Sequence, residues 1–133
     1  MEHILEQKNS RKQGDVGLGY AMAYMSKIGA TVCLPLTDNQ DYDLIFELDG
    51  GLKKVSIKTT RQLNRPKTNH VVTLKTSGGN KSGHTIKKFD NSTVDYLFVL
   101  TSHNKKYLIP SEDIKVKTTL SLTKEYDKYL VEL

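Results

Sequence analysis

The stretch DYDLIFELDGGLKKVSIKTT, residues 41–60, sets Asp43 at the head of one apolar run and Lys58 near the end of the next. A buried hairpin has little use for a carboxylate facing an ammonium, since each loses hydration that the other only partly replaces. Metal-dependent phosphodiester hydrolysis does use such a pair: the carboxylate holds a hard divalent cation, and the ammonium offsets charge developing on the phosphate. Whether the two meet depends on the turn between them. Asp49-Gly50-Gly51 carries the residues of a tight hairpin turn. With Asp49-Gly50 as the loop, Leu48 pairs with Gly51 and Asp43 lies opposite Ser56; with Gly50-Gly51 as the loop, Asp43 faces Lys58. Either register puts Asp43, Ser56 and Lys58 on one exposed face, whereas a three-residue loop pairs Asp43 with Ile57.

These side chains need a scaffold, and the flanking pattern describes one. In GDVGLGYAMAYMSKIG, small or apolar residues at Val16, Gly19/Tyr20, Ala23/Tyr24 and Ile28 have helical spacing, predicting a helix over residues 12–28 that stops at Gly29. TVCLPL reads as a short strand whose Pro35 marks an edge or a bend. YDLIFEL is continuously apolar, the pattern of a central strand covered on both faces. KKVSIKT alternates, with Val55 and Ile57 on one side and Lys54, Ser56 and Lys58 on the other. HVVTLK, VDYLFVL and KKYLIP read as further strands, the last two joined as a hairpin across TSHN; PSEDI reads as a turn or a single helical turn. RQLNRPKTN and TSGGNKSGHTIKK read as basic, irregular connections. The order predicts an α+β fold: one mixed β-sheet with a flanking N-terminal helix, residues 1–133 forming one domain.

Charge is distributed unevenly. Residues 1–50 hold 4 Lys/Arg and 8 Asp/Glu, and residues 51–133 hold 16 and 7. Between Lys53 and Lys88 there are ten basic residues and no acidic one. Ordinary solvated faces mix signs, so an unbroken basic run points to a polyanion partner. Its members Lys54, Arg61, Arg65, Lys67, Lys81, Lys87 and Lys88 are the candidate contacts. The single Cys33 sits in an apolar run and reads as a small buried hydrophobe in a reducing compartment. No apolar run approaches membrane-spanning length and no leader pattern opens the chain, which reads as cytosolic with no membrane partner. The four histidines lack metal-ligand spacing, and GLGYAM lacks the third glycine and preceding strand of a dinucleotide loop.

The Gly-led helix, the YDL strand and the hairpin ending in VSIKTT together resemble the opening of the PD-(D/E)XK endonucleases associated with group I introns, and VDYLFVL…KKYLIPSEDI resembles that family's second half. The resemblance implies a restriction-endonuclease-like core and a Mg²⁺-dependent DNA endonuclease, with Mn²⁺ a possible substitute. By similarity, Asp43 is a metal ligand, Lys58 acts on the attacking water or the scissile phosphate, and Ser56 occupies the position of the family's acidic residue or glutamine. The family's helix glutamate falls at Leu18. Asp15, three residues earlier and on nearly the same helix face, is a candidate for the missing carboxylate, or else a charge favoured by the helix dipole. The substrate reads as duplex DNA cut in intron homing, with a branched junction, as for a Holliday-junction resolvase, as the alternative. The departures at Leu18 and Ser56 leave a third class, a catalytically inactive DNA-binding module. Paired strand cuts from so small a chain require a homo-oligomer, for which the apolar C-terminal residues Leu120, Leu122, Tyr126, Tyr129, Leu130 and Val131 offer a surface, unless they close the sheet edge instead.

Overall fold

The computed structural model describes residues 4–80 and 83–133; Lys81 lies outside them. Helix α1 spans Ser10–Lys27, starting two residues earlier than its apolar periodicity suggests, because Asn9 caps it: the Asn9 side chain accepts from the Arg11 N–H at 2.9 Å. Gly29, at φ 87°, lets the chain leave the helix.

Strands β1 (Thr31–Cys33), β2 (Leu44–Leu48) and β3 (Gly51–Thr60) form an antiparallel meander. After β4 (Val71–Thr73), β5 (Thr76–Asn80) and β6 (Gly83–Lys87), strand β7 (Tyr96–Thr101) pairs parallel to β3, and β8 (Lys106–Pro110) pairs antiparallel to β7. The result is one mixed sheet in the order β1-β2-β3-β7-β8. The β2–β3 register is that of the two-residue loop, Leu48 opposite Gly51. Asp49 at φ 52° and Gly50 at φ 81° give the left-handed pair that such a turn requires.

Each face of the sheet has its own apolar layer, and β7 belongs to both. Phe98 and Leu100 pack with Leu44, Phe46 and Val55 beneath Ala21 and Met25 of α1. Leu97 and Val99 point the other way and join Val72, Ile109, Ile114 and Leu120. At roughly 1.5–3 kcal/mol for each large side chain removed from water, these two layers supply the main drive to fold. Gly17 sets how closely α1 approaches the sheet: a Cβ there would lie 2.6 Å from Thr59 Cγ2 and 3.2 Å from Ile57 Cγ2.

Four sequence expectations change. β2 is covered on the α1 side only: Leu44 and Phe46 are buried and Glu47 is exposed, because the second layer lies over β7 and β8. TSGGNKSGHTIKK is not an irregular connection, since Thr76–Asn80 and Gly83–Lys87 pair antiparallel as a hairpin. Cys33 is exposed, because β1 is a sheet edge. The C-terminal apolar residues are mostly consumed internally. Leu120 in β9 (Thr119–Ser121), which pairs with β4, and Leu122 are buried; Tyr126 and Tyr129 pack on the same layer, and the Val131 N–H donates to the Lys106 carbonyl at 2.9 Å. The tail thus covers the outer edge of β8 and does not stand free as a contact surface.

Candidate active site

Strand β2 leaves β3 just before Leu44, and Asp43 is the residue at the parting. Its backbone N–H still donates to the Val55 carbonyl at 2.8 Å, the last rung between the two strands. The next β3 donor, Ile57 N–H, would otherwise lose its partner; instead it donates to the Asp43 carboxylate at 2.6 Å. The side chain therefore takes over where the backbone ladder ends, which fixes the carboxylate at the edge of β3 with its other oxygen directed away from that bond. Although the residue as a whole remains accessible, its carboxyl head has lost much of its hydration. That loss pushes its pKa upward, against the opposing effects of the Ile57 N–H and of the Lys58 ammonium. Lys58 is thus close enough to act on Asp43 electrostatically.

Two hollows flank this edge. On the α1 side, Asp43 and Tyr42 share an open cleft of about 260 Å³ with Leu18 and Asp38. On the opposite side, Ser56 and Lys58 line a cavity of about 60 Å³ together with Asp41, Lys87 and Lys88. That volume is about the share of two waters in the liquid, and its lining is rich in ammonium groups. The alternation of β3 explains the division. Val55 and Ile57 face α1 while Ser56 and Lys58 face the other layer. The single exposed face expected for Asp43, Ser56 and Lys58 is therefore not found: Asp43 lines the cleft on the α1 side, and Ser56, on the other side, is only 7% exposed.

The positions of the remaining candidates differ. Asp15 is exposed on α1 and is not among the residues lining the cleft that holds Leu18 and Asp43. Among the described residues, no three His, Cys, Asp or Glu side chains cluster closely enough to hold a metal ion. Of the basic candidates, Lys87 and Lys88 join Lys58 around the cavity. Lys54 lies exposed over the Tyr42 ring, 5.3 Å from its centre. Arg61, Arg65 and Lys67 are exposed on the connection between β3 and β4.

Residues 8–129 match the sequence profile of the PD-(D/E)XK endonucleases. This chain belongs to that family. The fold agrees: the bacterial homing endonuclease I-Ssp6803I superposes with a TM-score of 0.79 over 92% of this chain and 88% of its own, at 21% sequence identity, a likeness of fold. No match was found among curated proteins. Leu18 shares the cleft of Asp43 with Asp38, while Ser56 lines the opposite cavity with Lys58 and Asp41.

Sequence reasoning missed Asp41. Its carboxylate pairs with the Lys87 ammonium at the cavity that Ser56 and Lys58 line. The two residues lie 46 positions apart, and no local pattern signals the contact.

Proposed function

We propose that this chain, acting as one domain over residues 1–133, is a divalent-metal-dependent endonuclease that cuts duplex DNA in the manner of intron homing. The observation that carries the reading is the Asp43 carboxylate, fixed by the Ile57 N–H where β2 leaves β3 and held within electrostatic reach of Lys58. Asp43 keeps one carboxylate oxygen outside that hydrogen bond, and the Ser56 hydroxyl lies on the same strand as Lys58. This donor set fits Mg²⁺, or Mn²⁺, held chiefly by waters and substrate phosphate, and does not resemble an all-protein cage. When bound, the ion supplies Lewis acidity toward the phosphodiester. Asp43 orients that charge, and Lys58 contributes a fixed positive charge where the phosphorane gains negative charge. The basic residues between Lys53 and Lys88 supply the attraction to the DNA backbone. One such site per chain cuts one strand, so we read the working form as a homo-oligomer.

The test is cleavage of a duplex library and of a four-way junction in Mg²⁺ and in Mn²⁺. Cutting confined to the junction would replace the homing reading with that of a structure-selective resolvase. Asp43→Asn and Lys58→Ala should each lower the cutting rate by at least ~10²-fold, the scale for losing one charge-stabilising group, while duplex binding stays within a few-fold. The shortage of carboxylates favours a second reading, an inert DNA-binding module. Binding that persists with no cutting in either metal would establish it.

A further inference from the structure

The Asp41–Lys87 pair is the one side-chain salt bridge among the described residues, and it spans the cavity that Ser56 and Lys58 line. The Lys87 and Asp41 side chains are 59% and 39% exposed. A pair this open is worth little to the fold, since water and salt screen it and two long side chains must be held in one geometry. Its position is harder to dismiss. Lys87 ends β6, whereas Asp41 belongs to the segment leading into β2, two residues from Asp43. The groups around the pair are mostly cationic. Lys58 and Lys88 line the same cavity, and the other acid, Asp90, is held below the usual carboxylate range first by the Ser92 hydroxyl, then by the Ser92 N–H, with Lys117 and Lys87 contributing. Three lysines therefore converge beside the candidate active site, and one of them is partly neutralised by an acid from outside the basic run.

We propose that the Asp41–Lys87 pair is an exchange site for a backbone phosphate of the nucleic-acid substrate. In the free protein Asp41 holds Lys87 at the mouth of the cavity; on binding, a phosphate oxygen takes Asp41's place on the ammonium. Asp41 is then a positioning residue that acts through Lys87. It keeps the lysine extended toward the substrate and makes binding contingent on displacing a weak internal partner. A weak partner suits this role, because a strong one would bar the phosphate and an absent one would leave the lysine to any anion.

The inference rests on the DNA-binding reading above, and a double-mutant cycle separates the two. Affinity for a short fluorescein-labelled DNA duplex is measured by anisotropy in EDTA, so that no cutting intervenes, for wild type, Asp41→Asn, Lys87→Gln and the double variant. Asp41→Asn should bind about threefold more tightly than wild type at low salt, as expected for release from an exposed ion pair, and the gain should shrink as salt rises. Lys87→Gln should bind more weakly, and in that background Asp41→Asn should change nothing. An equal gain in both backgrounds would mean that Asp41 merely repels DNA, and weaker or unchanged binding by Asp41→Asn would mean that it holds something else; each overturns the exchange. A wild-type chain that binds no duplex overturns the functional reading, and this inference with it.

Discussion

Asp43 meets two opposing demands. In the proposed site its carboxylate must be ionised to hold a cation, yet burial raises its pKa, so the ionised form costs the fold stability at neutral pH. That cost is present above the raised pKa and vanishes below the ordinary value of 3.8. Asp43→Asn keeps an acceptor for the Ile57 N–H and removes the charge. In thermal melts at pH 7 it should therefore exceed wild type by ~2 °C, with the gap closing as pH falls toward 3.8. A variant that melts lower would mean that the Lys58 attraction outweighs the lost hydration. Leu18 offers the complementary test, because it shares a cleft with Asp43. Leu18→Glu adds a third carboxylate there, beside Asp43 and Asp38, and should strengthen Mn²⁺ binding by roughly tenfold in calorimetric titration, since affinity follows ligand charge. Unchanged affinity would move the metal out of that cleft.

At the scale of elements, the site depends on how closely α1 lies over β3 and on what holds the C-terminal tail. Gly17→Ala places a methyl 2.6 Å from Thr59 Cγ2, on a β-branched side chain with little freedom to turn away. Overpacking of this kind costs about 1–3 kcal/mol in urea denaturation, and Thr59→Ser, which deletes the offending methyl, should recover most of the loss in the double variant. The tail is pinned by the Tyr129 hydroxyl, which donates to the Asp113 carboxylate; that bond and the charge of Asp113 push the tyrosine's pKa up to about 12. A raised acid pKa means that the neutral, hydrogen-bonded form is favoured up to that point. The advantage of wild type over Tyr129→Phe should therefore be full below pH 10 and disappear as pH rises to about 12. An advantage that persists above pH 12 would assign it to packing and not to the hydrogen bond.

Across the whole molecule, six of the ten basic residues between Lys53 and Lys88 fall into two groups, a cluster of Lys58, Lys87 and Lys88 at the cavity and an exposed arm of Arg61, Arg65 and Lys67. If about six phosphates are contacted, log affinity should fall with log salt at a slope of about −5, at roughly −0.9 per phosphate. Neutralising Arg61 and Arg65 together should flatten the slope by nearly two units; an unchanged slope would locate the DNA elsewhere. Sedimentation at micromolar concentration should show at least twice the 15.0 kDa chain mass. Because most of the C-terminal apolar residues are spent covering β8, Leu130→Ser should leave that assembly intact. A clean monomer with and without DNA would leave a nicking enzyme or an inert binder.

Local chemistry carried much of this protein in its sequence. The Asp49-Gly50 turn, where left-handed backbone falls on residues that tolerate it, determined the β2–β3 register and hence which strand positions stand opposite each other. Periodicity placed α1 and the β7–β8 hairpin, because an apolar face repeats at the period of the element that buries it. What lay beyond the sequence were the relations between distant segments. That Ile57 N–H would take a side chain in place of a backbone carbonyl follows from where β2 parts from β3, and no residue pattern marks that point. Whether β2 is covered on one face or two depends on where the second layer comes to rest. The Gly-rich basic segment looked like a loop because Gly, Ser and Asn are weak strand formers, yet its two halves pair with each other as a separate two-stranded sheet. Asp41 meets Lys87 across 46 positions, a contact that only the tertiary structure decides and that leaves no trace in the spacing of either residue.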